Sequence, residues 1–223
     1  MNRNGDNLPA VKKKINLQSL SLYLGTVAVI IIFTILCQIN GVNYLTWLNI
    51  SNVIVQSSII AVMAVGTSVV ILTGGIDLSV GGLVGLTGMI CALLINKAGF
   101  SIGAAILITV ILGCIFGLIN GVGIGYGKVP PFIMTLGMVG VAKGLTLALC
   151  GGQPVNRLPS ALGQFAKDSW LGIPSFIYCV AICYIVMVFI MHKTKFGRHI
   201  YSLGGNAQAA RLSFTRISRA RAS

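Results

Sequence analysis

The chain has 223 residues, of which 56% are hydrophobic and only 9% are charged, whereas soluble domains carry about 25% charged residues. Sixteen Lys and Arg stand against three Asp and no Glu. These figures exclude an ordinary soluble domain and a disordered chain. With only three carboxylates in the chain, an enzyme that relies on acid–base catalysis by Asp or Glu is disfavoured. They indicate an all-α, polytopic transmembrane helical bundle.

Six apolar segments follow a basic tail, residues 1–19, and each is long enough for a membrane helix of about 20 residues. The stretch 51–95 carries one charge, Asp77, and is long enough for two helices. Its break lies at Thr73–Ser79, where glycine ends one helix and Asp or Ser begins the next. The predicted helices are 20–39, 51–73, 77–96, 101–126, 132–150 and 173–191, within a transmembrane domain 20–192.

The basic residues predict the orientation of these helices. With the N-terminus inside, twelve Lys and Arg lie on the inner side, and three lie outside, namely Lys97, Arg157 and Lys167. The positive-inside rule therefore predicts that both tails are cytoplasmic. Nucleic-acid binding is the competing explanation of the net charge of +13, and the apolar middle of the chain disfavours it.

Polar residues within the predicted spans are candidates for a functional site, because a polar side chain at membrane depth must find a partner. The candidates are Gln56, Asp77, Ser79 and Asn120. Asp77 either caps the third helix or belongs to an irregular segment that lines a cavity. Asn120 pairs either with another helix or with a polar substrate, and the sequence leaves both open.

Glycines recur every four residues in the fourth predicted helix, at Gly113, Gly117, Gly121 and Gly125. Such a stripe allows a neighbouring helix to pack closely. A helix that slides during transport is the alternative reading. Gly127-Lys128 is followed by Val129, so no nucleotide-binding loop is present and ATP would have to be used by a partner.

Four stretches of the chain resemble the permease subunit of carbohydrate ABC importers, the ribose, xylose, arabinose and galactose type. They are residues 66–82 (GTSVVILTGGIDLSVGG), 113–127 (with GLINGVGIGYG), 129–144 (VPPFIMTLGMVGVAKG) and 195–213 (KFGRHIYSLGGNAQAARLS). The resemblance covers about residue 20 to Ser213. It implies a permease of roughly ten helices in the bacterial inner membrane, of which this chain holds about six.

The resemblance also implies the partners. Two permease copies form a pathway for a monosaccharide, an ABC ATPase subunit binds underneath, and a periplasmic sugar-binding protein delivers the sugar. The chain is then no enzyme and binds no cofactor or metal, and Gln56, Asp77, Ser79 and Asn120 become candidate pathway residues. The cytoplasmic loop 193–213 would dock on the ATPase through Gly204, Gly205, Asn206, Ala209, Ala210, Arg211 and Leu212.

The sequence departs from the family pattern near its end. Gln208 stands where the family usually has an acidic residue, and the family continues beyond Ser213 with further membrane helices. Residues 214–223 are instead expected to be an aberrant basic tail that follows a frameshift or premature stop. Two alternatives stay open. One is a truncated remnant that binds the ATPase without transporting. The other is a secondary transporter, which would need ion-coupling carboxylates on several helices, whereas this chain offers Asp77 alone.

Overall fold

The computed structural model describes residues 17–205, which form eight α-helices and one short hairpin. The helices are α1 (Leu17–Ile39), α2 (Trp47–Leu72), α3 (Val80–Asn96), α4 (Ile102–Gly125), α5 (Pro131–Cys150), α6 (Ser160–Lys167), α7 (Ser175–Lys193) and α8 (Lys195–Gly205). Between α6 and α7, β1 (Ser169–Trp170) pairs antiparallel with β2 (Ile173–Pro174). The described chain is therefore all-α in class, as the composition predicts.

Four described helices, α2, α4, α5 and α7, are long and apolar enough to cross a membrane. Two further apolar helices are shorter, Tyr23–Ile39 within α1 and Val80–Asn96, which is α3. The count of six crossings stays a prediction. Helix α3 begins at Val80 and not at the predicted residue 77, because the break after α2 continues through Ser79.

The helix ends follow from local chemistry. Helix α2 ends in a Schellman motif, in which Gly75 N–H donates to Val70 O at 3.1 Å and Gly74 N–H donates to Ile71 O at 2.9 Å. Gly74 has a φ of +77°, which a residue with a Cβ adopts only with strain. At the N-terminal end of α4, the Ser101 side chain accepts a hydrogen bond from the Ala104 N–H and so caps the helix.

The chain divides into two compact units, residues 1–53 and 54–223. In the described part of the first unit, Phe33 of α1 stacks on Tyr44 with ring centroids 6.0 Å apart. In the second unit, α3 packs against α4 and α5. A Cβ on Gly82 would lie 3.3 Å from Val139 Cα, so glycine allows α3 and α5 to approach closely.

The core of the second unit is small. Its fully buried members include Leu86 of α3, Ala105 of α4 and Ala142 of α5. Most large apolar side chains on the long helices are exposed, among them Ile60, Leu107 and Ile185. Such surfaces suit lipid, which solvates apolar side chains as well as a protein core does.

Candidate functional site

The break between α2 and α3 brings a carboxylate into the helix bundle. Asp77 Oδ1 accepts two hydrogen bonds from Ser79, one from the backbone N–H at 2.8 Å and one from the hydroxyl at 2.6 Å. The N-cap of α3 is Ser79, whose own side chain makes no capping bond. The reading of Asp77 as the N-cap is therefore wrong, because Asp77 holds the turn that precedes the cap.

Ser79 links this turn to α4. Its side chain is fully buried, and its Oγ accepts a hydrogen bond of 3.0 Å from Asn120 Nδ2. A serine hydroxyl has one proton, and Asp77 accepts it. Ser79 can therefore only accept from Asn120, which fixes the orientation of the Asn120 amide. Three of the four candidate residues form one hydrogen-bonded polar chain, Asp77–Ser79–Asn120, in which Ser79 and Asn120 are buried and Asp77 is half-buried.

The amide oxygen of Asn120 is the unsatisfied end of this chain. Asn120 is 5% exposed, and its buried Oδ1 has no hydrogen-bond partner among the described residues. A buried acceptor without a donor costs about 1–3 kcal/mol. The cluster thus presents an acceptor that a hydroxyl, an N–H or a water would satisfy after a small local movement.

Thr135 of α5 is a further buried polar residue, and it lies beside the break at Ile76; the sequence analysis made no separate prediction for it. It is 2% exposed, and its hydroxyl donates to Pro131 O at 2.8 Å, with Ile76 O 3.5 Å away. The sequence feature that could have indicated Thr135 is a hydroxyl residue one turn into a helix that begins at Pro131. This signal is weak, because most membrane-helix threonines bond their own helix in the same way.

Gln56 does not join the cluster. It lies on α2 with an exposed side chain and makes no hydrogen bond to the described residues. The buried polar residue of α2 is instead Ser58, whose hydroxyl donates to Ile54 O at 2.8 Å. A role for Gln56 therefore stays a prediction without a structural partner.

The glycine stripe of α4 meets open space in the described chain. A Cβ on Gly113, Gly117, Gly121 or Gly125 would have no heavy atom within 4 Å. The glycine of α4 that does pack is Gly123, where a Cβ would lie 2.7 Å from Met134 Sδ. The stripe as a helix-packing surface stays a prediction, and α3, α5 and the other described helices do not fill it.

The predicted docking segment begins at the end of α8. Helix α8 is amphipathic, and Gly197 and Ile200 are buried on its inner side. A Cβ on Gly204 would collide with the Leu72 carbonyl oxygen, whereas a Cβ on Gly205 would meet nothing within 4 Å. Gly204 therefore rests on the last residue of α2, directly before the break. The other predicted docking residues, Asn206, Ala209, Ala210, Arg211 and Leu212, lie outside the described residues.

An open crevice of about 460 Å³ lies between α2 and α7. Apolar side chains dominate its lining, with Ser68, Tyr184, His192 and Tyr201 as the polar members. None of the residues of the Asp77–Ser79–Asn120 chain lines it. Among the described residues no group of His, Cys, Asp and Glu could hold a metal ion. The Asp77–Ser79–Asn120 polar chain is therefore the stronger candidate site.

Comparison with known proteins assigns the family. Residues 49–222 match the family model described as branched-chain amino acid transport system / permease component. The chain is 35% identical over 199 residues to the ribose import permease protein RbsC of Escherichia coli (strain K12). That match covers 86% of this chain and 61% of the relative.

Two further relatives are autoinducer 2 import system permease proteins LsrC. The protein of Salmonella typhi is 33% identical over 82% of this chain and 52% of its own length. The protein of Photorhabdus luminescens is 34% identical over 83% of this chain and 55% of its own length. No solved structure matches the chain.

Apolar membrane-length helices and the family match define the class of protein, a multi-pass membrane permease. The chain belongs to the permease family that matches residues 49–222, and the resemblance to permeases of carbohydrate ABC importers is confirmed. It spans 61% of the length of the ribose permease it matches. The family match runs into residues 214–223, so an unrelated tail there stays a prediction.

Proposed function

We propose that this chain is a membrane-spanning permease subunit of an ATP-driven ABC importer and forms part of the translocation pathway for a monosaccharide. The observation that carries the proposal is similarity over 86% of the chain to a ribose import permease. The description of the family model names branched-chain amino acids as the substrate, whereas the names of the relatives give ribose and autoinducer 2. Polyhydroxylated substrates are therefore favoured.

The Asp77–Ser79–Asn120 polar chain supports a role in the pathway. Asp77, Ser79 and Asn120 lie where an interrupted helix meets α4, and irregular backbone at membrane depth is tolerated where protein buries it or a cavity receives it. The unsatisfied Asn120 Oδ1 is an acceptor that suits a sugar hydroxyl. We assign Asp77, Ser79 and Asn120 to the pathway, whereas Gln56, which lies apart from them on α2, stays a predicted pathway residue.

The proposed partners are an ABC ATPase subunit, a periplasmic sugar-binding protein and a second permease copy. ATP is used by the ATPase and not by this chain. We place the ATPase against the segment that begins at Gly204 and ends at Leu212. The contact of Gly204 with the end of α2 supports this placement, since a movement of the segment would reach the break that carries Asp77.

The test is uptake into proteoliposomes that contain this chain together with an ABC ATPase subunit and a periplasmic ribose-binding protein. Radiolabelled ribose is the probe, and vesicles without internal ATP are the control. We expect ATP-dependent accumulation of ribose, and we expect Asn120→Leu to reduce it. ATPase retention by the immobilised chain is measured in parallel, with Arg211→Glu as the variant that weakens retention.

The two measurements separate the hypotheses. Retention of the ATPase without uptake of ribose or any other pentose or hexose would favour a non-transporting subunit. Uptake that continues without ATP and without the ATPase would contradict the proposal in favour of a secondary transporter. Loss of both retention and uptake in the unmodified chain would refute the importer role.

A further inference from the structure

The hairpin between α6 and α7 ends in an exposed apolar tip. Trp170 is 67% exposed and Leu171 is 81% exposed, the latter among the most exposed large apolar side chains of the described residues. Residues 169–174 carry no charge. A lone exposed leucine needs no explanation, but here it is adjacent to an exposed tryptophan at the apex of a two-residue turn.

Leu171 occupies a strained backbone conformation in this turn. Trp170 pairs with Ile173, so Leu171 and Gly172 form the whole loop. Both have positive φ, +52° for Leu171 and +75° for Gly172, as a type I′ turn requires. Asn or Gly is the ordinary residue at the first position, because a leucine Cβ is strained there. The turn would thus be more stable with asparagine.

The tip is held firmly against the first turn of α7. The Ser175 N–H and hydroxyl both donate to Asp168 O, at 3.0 and 2.9 Å, which closes the base of the hairpin. The Tyr178 hydroxyl donates to Trp170 O at 2.8 Å. The Trp170 and Tyr178 rings also meet edge to face, with centroids 5.5 Å apart. The base of the hairpin and Trp170 are therefore held against the first turn of α7.

Helix α7 supplies the surface that continues from this tip. It begins at Ser175, directly after the hairpin, and is one of the helices long and apolar enough to cross the membrane. Its side chains Ile182, Ile185 and Phe189 are exposed, so that α7 presents a lipid-facing surface in a multi-pass permease. The hairpin thus stands where α7 meets the lipid–water interface, the depth that tryptophan prefers.

From this geometry we infer that the tip, Trp170 and Leu171, inserts into the lipid–water interface and anchors the start of α7. Lipid removes the leucine and the indole edge from water, which explains why an apolar residue occupies a position suited to asparagine. The occupant is the bilayer that already surrounds α7. The inference goes beyond the proposed transport function and does not depend on it.

The test uses tryptophan fluorescence of the full chain in phosphatidylcholine liposomes without partners. The chain has two tryptophans, so Trp47→Phe leaves Trp170 as the reporter. Acyl chains brominated close to the headgroup quench an inserted indole, and iodide in the buffer quenches an indole in water. We expect a loss of Trp170 emission in brominated lipid and little further loss with iodide.

Leu171→Asn in the same background tests the tip itself. Asparagine accepts the positive φ, so the hairpin is retained. We expect less quenching by brominated lipid, more by iodide and a red-shifted emission. Leu158→Asn, in the same loop but outside the hairpin, is the matched control and should leave the Trp170 signal unchanged.

Emission that is equal in brominated and ordinary lipid and is quenched by iodide would overturn the inference, and would point to a protein partner for the tip. An unchanged signal in Leu171→Asn would overturn the role of Leu171. Circular dichroism of each variant checks that the helices are retained. Since no sugar or ATPase is present, these outcomes are independent of the transport proposal.

Discussion

In the interior of the α3–α5 region few residues are polar, so each polar side chain there has a large effect on stability. Ser79 is central, because its hydroxyl hydrogen-bonds both the Asp77 carboxylate and the Asn120 amide. Asp77 keeps a bond to the Ser79 N–H whatever side chain stands at 79. Among residues 17–205, Asn120 Nδ2 has no such second partner, and its Oδ1 lacks a partner altogether. The amide therefore depends on Ser79.

Ser79→Ala is expected to lower the free energy of unfolding by about 1–3 kcal/mol, because it leaves buried polar groups unsatisfied. Ser58→Ala is the matched control, since Ser58 is also buried but bonds only its own helix at Ile54 O. Ser58→Ala should lower the free energy of unfolding much less than Ser79→Ala does. Unfolding in mixed micelles measures both. Equal losses would mean that the Ser79 link between α3 and α4 contributes nothing.

At the level of elements, close contacts at glycine determine which helices touch. Gly82 brings α3 against α5, and Gly123 receives Met134 of α5. Gly197 lies against the Met191 carbonyl, so α8 folds back tightly on the end of α7. Gly204 then places the far end of α8 on Leu72 of α2. Helix α8 is thereby connected to the break at Thr73–Ser79.

Gly204→Ala is expected to push α8 away from α2, because the new methyl group would occupy the position of the Leu72 carbonyl oxygen. The consequence is faster amide hydrogen exchange in the peptide covering residues 73–79, measured by mass spectrometry in nanodiscs. Gly205→Ala adds the same methyl group one residue later, where nothing lies within 4 Å. Its exchange should equal that of the parent chain. Faster exchange in both variants, or in neither, would contradict the contact.

For the whole molecule, the distribution of apolar side chains is that of a bilayer protein. The long helices expose large apolar residues along most of their length, and the described core is confined to a few positions in α3, α4, α5, α7 and α8. The bias of Lys and Arg then predicts which ends are cytoplasmic. The α4–α5 connection lies inside in that prediction, and the connection between α5 and α6 lies outside.

Cysteine labelling measures this orientation. Tyr126→Cys reports on the α4–α5 connection and Gln153→Cys on the α5–α6 connection, and both native side chains are exposed. The six native cysteines, all free thiols, are first replaced. A membrane-impermeant maleimide should label Cys at position 153 in intact spheroplasts, and Cys at position 126 only after permeabilisation. The reverse pattern would invert the predicted topology.

Much of the fold follows from the sequence alone. Hydropathy located the apolar helices, because about 20 apolar residues have few alternatives to a membrane span. Gly74 and Gly75 predicted the end of α2, and the positive φ of Gly74 is a conformation that favours glycine. The start of α3 was displaced to Val80, since the Asp77–Ser79 turn competes with the first helical turn and no periodicity reveals this.

The sequence by itself determined the class of protein, its family and the set of polar residues that must find partners inside a membrane. Only the tertiary structure decided which of them meet. Ser79 and Asn120 are 41 residues apart, and their contact requires α3 and α4 to pack at one particular rotation. In the same packing Gln56 lies apart from the cluster, Thr135 of α5 is buried beside the break at Ile76, and the α4 glycine stripe stays open. Local chemistry specifies a helix and its ends, whereas the faces that helices share depend on how their side chains interlock.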